Sequence, residues 1–288
     1  MYSTQAWAKH GAKSSFKKIE IKRNKCGDDD VTFAVKFCGI CHSDVHIAED
    51  HLDVPGGKKT NYPCVPGHEL AGVVTEVGRN VSKYKKGDTV GVGCISDSCM
   101  ACTSCKEGEE MWCAKGMTST YDKETTHGHI ATDKGWTFGG YSQSQTVNQK
   151  FILKIPDGYP LSAAGPVFCA GITMFSPLSY WGAKSGGMRV GIVGIGGLGQ
   201  MGVQLAKAMG NTVTAISTSP GKEAAAREIG ADSFVVSTDP ESMKRAAMTC
   251  DLILNTVSVN HEAAHYASLL VCTYIEKSLK ILTFFITG

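Results

Sequence analysis

The sequence lacks three features, and each absence excludes a class of function. No apolar run approaches the ~20 residues that a membrane-spanning helix requires. No charge of one sign dominates: 29 Lys and Arg face 27 Asp and Glu, a formal net charge of +2, which argues against a dedicated nucleic-acid binder. The opening stretch MYSTQAWAKHGAKSS has no apolar central block of the kind that marks a secretory leader, so a cytoplasmic location is expected. Neither internal repeats nor low-complexity segments interrupt the chain. What remains is an ordinary globular composition, 42% hydrophobic and 19% charged over 288 residues, enough for about two domains and a large core.

Cysteine, by contrast, is plentiful, at twelve residues. Cytosolic thiols stay reduced, so they point to metal binding or chemistry, with disulfides as the alternative. Four of them lie in CMACTSCKEGEEMWC, residues 99–113. A structural zinc takes four tetrahedral ligands, with thiolates at ~2.3 Å. Cys99, Cys102, Cys105 and Cys113 therefore predict a zinc lobe with no coordination position left for substrate. Lys106 and Lys115 are placed to offset its negative charge, or simply to solvate the loop. A second group comes from CGICHSDVH and PGHELAG: Cys41, His42, Ser43, Asp44, His46, His68 and Glu69. Each of these is a weak signal alone.

The texture of the chain changes along its length. Between about residues 33 and 151, FAVKF, LAGVVTEV, DTVGVG and KFILKI read as strands divided by turn residues, a small β-rich domain. After IPDGYP, the stretch LSAAGPVFCAGITMFSPLSYWGA has helical spacing, with Pro166 and Pro177 expected to break or bound its turns. Then MRVGIVGIGGLGQMGVQLAKAMG reads as a strand, a glycine turn and a helix, and TVTAIS, SFVVS and LILNTV as further buried strands. Strands alternating with helices imply a parallel sheet covered on both faces. The expected division is 1–158 and 159–288.

The glycine turn, with Gly194, Gly196, Gly197, Leu198 and Gly199 between strand and helix, predicts a dinucleotide site in which the backbone approaches a pyrophosphate at the helix N-terminus. NAD-binding domains usually place an acidic residue about 20 positions on. Here AISTSPGK offers Ser217, Thr218, Ser219 and Lys222 and no carboxylate, which suits the 2′-phosphate of NADP(H).

These motifs together, with VGVGCISDSCMACTSC, GGYSQ, CAGITMFSPL and GIVGIGGLGQMGVQLAKAMG, resemble the zinc-dependent medium-chain alcohol dehydrogenases, and within them the cinnamyl alcohol dehydrogenase-like branch that includes NADP-dependent aldehyde reductases. The resemblance covers about residues 30–265. It implies an α/β two-domain fold, a GroES-like catalytic domain followed by a Rossmann doubly wound sheet. It also implies two zinc ions per chain, and interconversion of primary alcohols and aldehydes with NADP(H). By motif, the catalytic zinc ligands fall on Cys41, His68 and Cys169. Three protein ligands leave a fourth position open, as a catalytic zinc requires. Asp44 matches the residue that hydrogen-bonds the histidine ligand, and Glu69 a glutamate close to the metal. Ser43 and His46 resemble the proton relay, although a serine so placed could equally cap a helix. Thr173 matches a position near the nicotinamide and His42 one facing the pyrophosphate.

Cys38, three residues before Cys41, is the competing ligand and reads as a buried strand thiol. Cys26, Cys64, Cys94, Cys250 and Cys272 match no role and read as apolar residues; His51, His127 and His129 read as solvated. The resemblance ends before VCTYIEKSLKILTFFITG. The expectation is a C-terminally truncated chain without the family's dimer-forming edge strand, in which KILTFFIT stands in for the fifth strand of the sheet. A zinc-retaining but catalytically poor chain is the alternative function. The partner expected is a small-molecule aldehyde or alcohol, with no nucleic acid and no membrane.

Overall fold

The computed structural model describes residues 1–51, 59–124, 132–259 and 261–271, and the backbone of 281–283. His127, His129, Cys272 and part of the HLDVPGGKKTNYP segment lie outside these residues. Two compact units are formed, Met1–Cys169 and Ala170–Gly288.

In the first unit the elements are β1 (Tyr2–Ala8), β2 (Lys17–Arg23), β3 (Asp30–Cys38), α1 (His42–Ala48), β4 (Leu70–Val77), β5 (Thr89–Val92), β6 (Ile95–Asp97), α2 (Thr103–Lys106), β7 (Thr118–Ser119), β8 (Ser144–Asn148) and β9 (Leu153–Lys154). The main sheet runs β8-β3-β4-β5-β9 and is antiparallel throughout. Alternate residues of β3 and β4 turn inward, so Val31, Phe33, Leu70 and Val74 join Val90, Val92, Val147 and Ile152 in one buried cluster. The β3–β4 register shifts between Val35 and Phe37, and such a bulge bends the strand that ends in Cys38. Expected strands therefore appear at FAVKF, LAGVVTEV and DTVGVG, but only Leu153–Lys154 of KFILKI pairs.

The units divide later than the expected 158/159 boundary because residues 159–169 pack with the first sheet. Ala164 and Phe168 are buried with Ala71 and Ile155, and a Cβ on Gly91 would overlap the Phe168 ring. Cys169 thus closes the first unit rather than lying in the second.

The second unit contains α3 (Ala170–Tyr180), β10 (Arg189–Val193), α4 (Gly197–Ala208), β11 (Thr212–Ser217), α5 (Glu223–Glu228), β12 (Ser233–Val236), α6 (Pro240–Arg245), β13 (Leu252–Asn255) and β14 (Ile281–Thr283). Its sheet is parallel, in the order β12-β11-β10-β13-β14. Both faces are buried: Val190, Ile192, Leu252 and Leu254 pack with Met174, Leu178, Val203 and Ala206 on one side. Val193, Ile216 and Ile253 pack with Met243, Tyr266 and Leu269 on the other. This is a Rossmann-like sheet, with Ile281–Thr283 in the fifth position expected for KILTFFIT. Pro166 falls in a short turn before α3, as expected, but Pro177 is accommodated inside the helix. It sits near the C-terminal end, where the missing N–H removes only one of the last intrahelical bonds.

Candidate active site

Three separate stretches of the first unit converge on one buried point. Cys41 precedes α1 and is tied to it, because Asp44 Oδ2 accepts from the Cys41 backbone N–H at 3.0 Å. His68 and Glu69 lead into β4, and Cys169 ends the turn after Phe168. The ligand atoms of Cys41, His68, Glu69 and Cys169 all lie within 4.8 Å of one another. Cys41 Sγ is 3.9 Å from Cys169 Sγ, and His68 Nε2 is 3.2 Å from Cys169 Sγ. A tetrahedral zinc at ~2.3 Å from sulfur and ~2.0 Å from nitrogen sets those edges at about 3.8 and 3.5 Å. The donor set therefore fits a zinc ion. Gly39 makes room for Glu69, since a Cβ there would overlap its carboxylate.

Asp44, 2% exposed, holds the other face of the imidazole. His68 Nδ1 lies 3.1 Å from Asp44 Oδ1, which also accepts from Gly67 N at 3.0 Å. In the neutral ring, a hydrogen on Nδ1 toward Asp44 would leave the Nε2 lone pair for a metal between the thiols. Charge in this pocket favours a cation. Burial opposes a charge on His68, but its bonds to Asp44, Cys169 and Cys41 outweigh that and lift it to about 12. The Cys41 thiol, bonded to Cys169 and partly buried, is pushed up to about 12. Burial raises Glu69 as well.

Ser43 and His46 lie on α1. Ser43 Oγ accepts from Cys41 Sγ at 3.6 Å. His46 is 8% exposed, and neither ring nitrogen has a partner among the described residues, so the two are not directly bonded. The His46 ring lies 4.6 Å from the exposed His42 and 6.4 Å from His51. Burial, then His42 and His51, lowers the affinity of His46 for a second proton. Cys38 stays outside the metal group, beside Gly67 and Gly140, with burial pushing it up to about 12.

The four-cysteine lobe forms a second group, again with all donor atoms within 4.8 Å. Cys99 and Cys105 are 3.9 Å apart, and Cys102 and Cys105 3.4 Å. Backbone N–H groups point at the sulfurs: Cys102 N at Cys99 Sγ, 3.4 Å, Ala114 N at Cys102 Sγ, 3.5 Å, and Cys99 N at Cys113 Sγ, 3.5 Å. Donation from Ala114 and Cys105 brings the Cys102 thiol down to about 6, a value at which it ionises readily.

In the second unit, Gly194 has φ +86°, and its N–H donates to Ile216 O at 2.9 Å. Gly199 packs on the Gly194 carbonyl so closely that a Cβ would overlap it. Gly196 caps α4, which starts at Gly197, and Leu198 packs on the core. Ser217 ends β11, and its Oγ accepts from Ser219 N at 3.1 Å. Thr218 and Ser219 are exposed, while Lys222 Nζ reaches back to Ile195 O at 3.0 Å. Thr173 is half-buried on α3.

Two participants carry no role in the sequence reading. Cys94 hydrogen-bonds to Cys169, which lowers its pKa. Tyr141 OH donates to Asp44 Oδ2 at 3.2 Å. Tyr141 stands in the GGYSQ motif and Cys94 in VGVGCISDSC; those positions are the available signals.

Comparison with known proteins bears on the family and the fold. The profile of the alcohol dehydrogenase GroES-like domain matches residues 27–157, and that of zinc-binding dehydrogenases residues 197–272. A relative named NADP-dependent alcohol dehydrogenase C 1, from Mycolicibacterium smegmatis, is 46% identical over 271 residues, covering 94% of this chain and 74% of its own length. Cinnamyl alcohol dehydrogenase 8 of Arabidopsis thaliana is 47% identical, covering 84% of this chain and 65% of that protein. Among solved structures, a cinnamyl alcohol dehydrogenase from Sorghum bicolor superposes with TM-score 0.84 at 42% identity, over 93% of this chain and 74% of that one. The corresponding enzyme from Helicobacter pylori, solved with NADP(H), gives 0.81 at 35% identity, over 93% and 73%.

Proposed function

We propose, for a chain that belongs to the zinc-dependent alcohol dehydrogenase family, that Cys41, His68 and Cys169 hold the catalytic zinc of an NADP(H)-dependent oxidoreductase interconverting primary alcohols and aldehydes, in the main reducing aldehydes. The observation that carries the reading is the convergence of those three residues with Asp44 behind the imidazole. The Cys99–Cys113 lobe holds a second, structural zinc. When bound, the catalytic zinc supplies Lewis acidity toward the carbonyl oxygen, and the nicotinamide supplies the hydride.

The chain's own residues do the rest. Two thiolates neutralise the ion's charge and keep its acidity moderate, which suits a reversible exchange. Asp44 fixes the tautomer of His68. Glu69 stands close enough to approach the metal. Ser43, beside Cys41, passes a proton without bearing charge. His46 is a buried imidazole whose two nitrogens have no partner among the described residues, and burial disfavours its charged form, so it is able to accept on one nitrogen while donating on the other. In the second unit the N–H groups at the start of α4 receive the pyrophosphate. Thr218, Ser219 and Lys222, with no carboxylate among them, accept a 2′-phosphate, and Ser217 shapes their turn. His42 and Thr173 are assigned supporting contacts to the cofactor. No described helix is long and apolar enough to cross a membrane, and a cytoplasmic location with reduced thiols completes the reading.

Two measurements test it together. Metal analysis is expected to return two zinc ions per chain, one of them lost in Cys41→Ser. NADPH absorbance is expected to fall on addition of cinnamaldehyde or an aliphatic aldehyde. Turnover no greater than that of the Cys41→Ser variant overturns the assignment.

A further inference from the structure

Asp44 is bonded by more than the histidine it orients. Its two carboxylate oxygens receive Gly67 N, His68 Nδ1, Cys41 N and Tyr141 OH at 3.0, 3.1, 3.0 and 3.2 Å. Of these four, the Tyr141 hydroxyl alone comes from outside residues 41–68, and it can be deleted without touching the backbone.

Tyr141 is itself anchored through its backbone. Gly139 N, Gly140 N and Tyr141 N donate in turn to Val65 O, Gly67 O and Pro66 O at 2.7, 2.8 and 3.0 Å. Residues 139–141 are thereby laced onto the segment that ends in His68. Gly67, at φ +105°, passes so close that a Cβ there would lie 2.8 Å from the Tyr141 ring and 2.9 Å from Gly140 N. Behind this segment the guanidinium of Arg23, 2% exposed, donates to Phe138 O at 3.0 Å, Gly139 O at 2.8 Å and Ser142 Oγ at 2.8 Å. A buried cation facing carbonyls fixes their direction, because each lost bond would leave it undersolvated.

From this arrangement we infer that Tyr141 is a positioning residue for the metal centre: it grips the approach to His68 through its backbone, and through its hydroxyl it locks the carboxylate that orients the His68 ring. The inference rests on the zinc reading above. Partners that orient a ligand from behind typically contribute 10–100-fold to metal affinity. For a neutral hydroxyl one step further out, the expected loss in Tyr141→Phe is about tenfold.

The test is chelator competition on the zinc-loaded protein, with released metal counted per chain. In Tyr141→Phe one zinc is expected to leave at about a tenfold lower EDTA concentration, while the four-cysteine zinc leaves where it does in the parent. A cycle with Asp44→Asn assigns the route: if Tyr141 acts through Asp44, adding Tyr141→Phe to Asp44→Asn changes release less than twofold. Identical release curves for parent and Tyr141→Phe overturn the inference and leave the zinc reading standing. So does a parallel shift of both zincs, which marks general loosening. A parent chain retaining a single zinc overturns the reading and the inference together.

Discussion

The two thiol clusters of the first unit solve the same coordination problem in opposite ways. The lobe takes four sulfurs from fifteen consecutive residues, 99–113, and points backbone N–H groups at them. The other cluster draws on Cys41, His68 and Cys169, whose first and last members are 128 positions apart, and surrounds them with side chains: Asp44, Glu69, Ser43 and Tyr141. Backbone amides stabilise thiolates whatever the neighbouring residues are. Side chains can be tuned, but only within a folded frame that holds them. The proposed division of labour follows that difference: the locally built cluster is read as supporting structure and the globally built one as supporting chemistry.

Ligand substitution is the most forceful way to break that contrast. Cys169→Ser is expected to remove one zinc and to lower kcat/KM at least ~10³-fold, with the lobe zinc retained and the fold preserved. If instead both zincs are lost, the buried cluster is scaffold as well. Next in size is the converse change. Cys102→Ser is expected to remove the lobe zinc and to lower Tm by about 5–10 °C, because metal binding there is folding free energy. kcat/KM at low temperature should stay within about tenfold of the parent. A collapse of turnover with the first zinc still bound would erase the division of labour.

The same contrast decides what could be read in the sequence. C-x2-C-x2-C-x7-C is a spacing, and a spacing is visible without a fold. Cys41, His68 and Cys169 became legible through motif resemblance alone, since nothing local links a residue before α1 to one after Phe168. Their meeting depends on the bulged β3, on β4 and on the packing of Phe168 against Ala71 and Ile155. That packing also shifts the unit boundary past Cys169. The role of Tyr141 has no local signature, because its partner, Asp44, is 97 positions away. In the second unit the periodic strands and the glycine turn were local signals and were readable as such. Pro177 departs from the expected helix break because, so near the C-terminal end of α3, it removes only one of the last intrahelical bonds.

The cofactor turn offers a prediction of intermediate size. It too is locally built, from 194–199 and 217–222, yet it is read as functional, so it tests whether local construction always means scaffold. Ser219→Asp places a carboxylate on an exposed position where the 2′-phosphate is expected. kcat/KM with NADPH should fall about 100-fold, with NADH far less affected. Zinc content should not change. Equal losses with both cofactors would show that the turn does not read the phosphate.

The smallest effect is expected where a carboxylate is bonded well but sits at the surface. Asp232 receives Lys207 Nζ at 2.6 Å and Val213 N at 2.8 Å, in a pair whose side chains are 46% and 35% exposed. The bond to Lys207, then that to Val213, holds its pKa below the ordinary aspartate value. A depressed pKa means that the charged form is stabilised by folding. The contribution is therefore complete above the unfolded-state value, about 3.9, and is lost as pH falls through the lower native value. Solvent screening limits it to under ~1 kcal/mol. Asp232→Asn should then cost about 1 °C in Tm at pH 7, a difference that closes as the pH drops below about 4 and that added salt reduces. Asp44, itself buried, should behave oppositely: Asp44→Asn is felt in zinc retention at neutral pH, and added salt does little to change it. If 0.5 M salt weakened zinc retention as it weakens the Asp232 pair, the carboxylate behind His68 would be acting by long-range charge, and the argument from hydrogen-bonded geometry would fail.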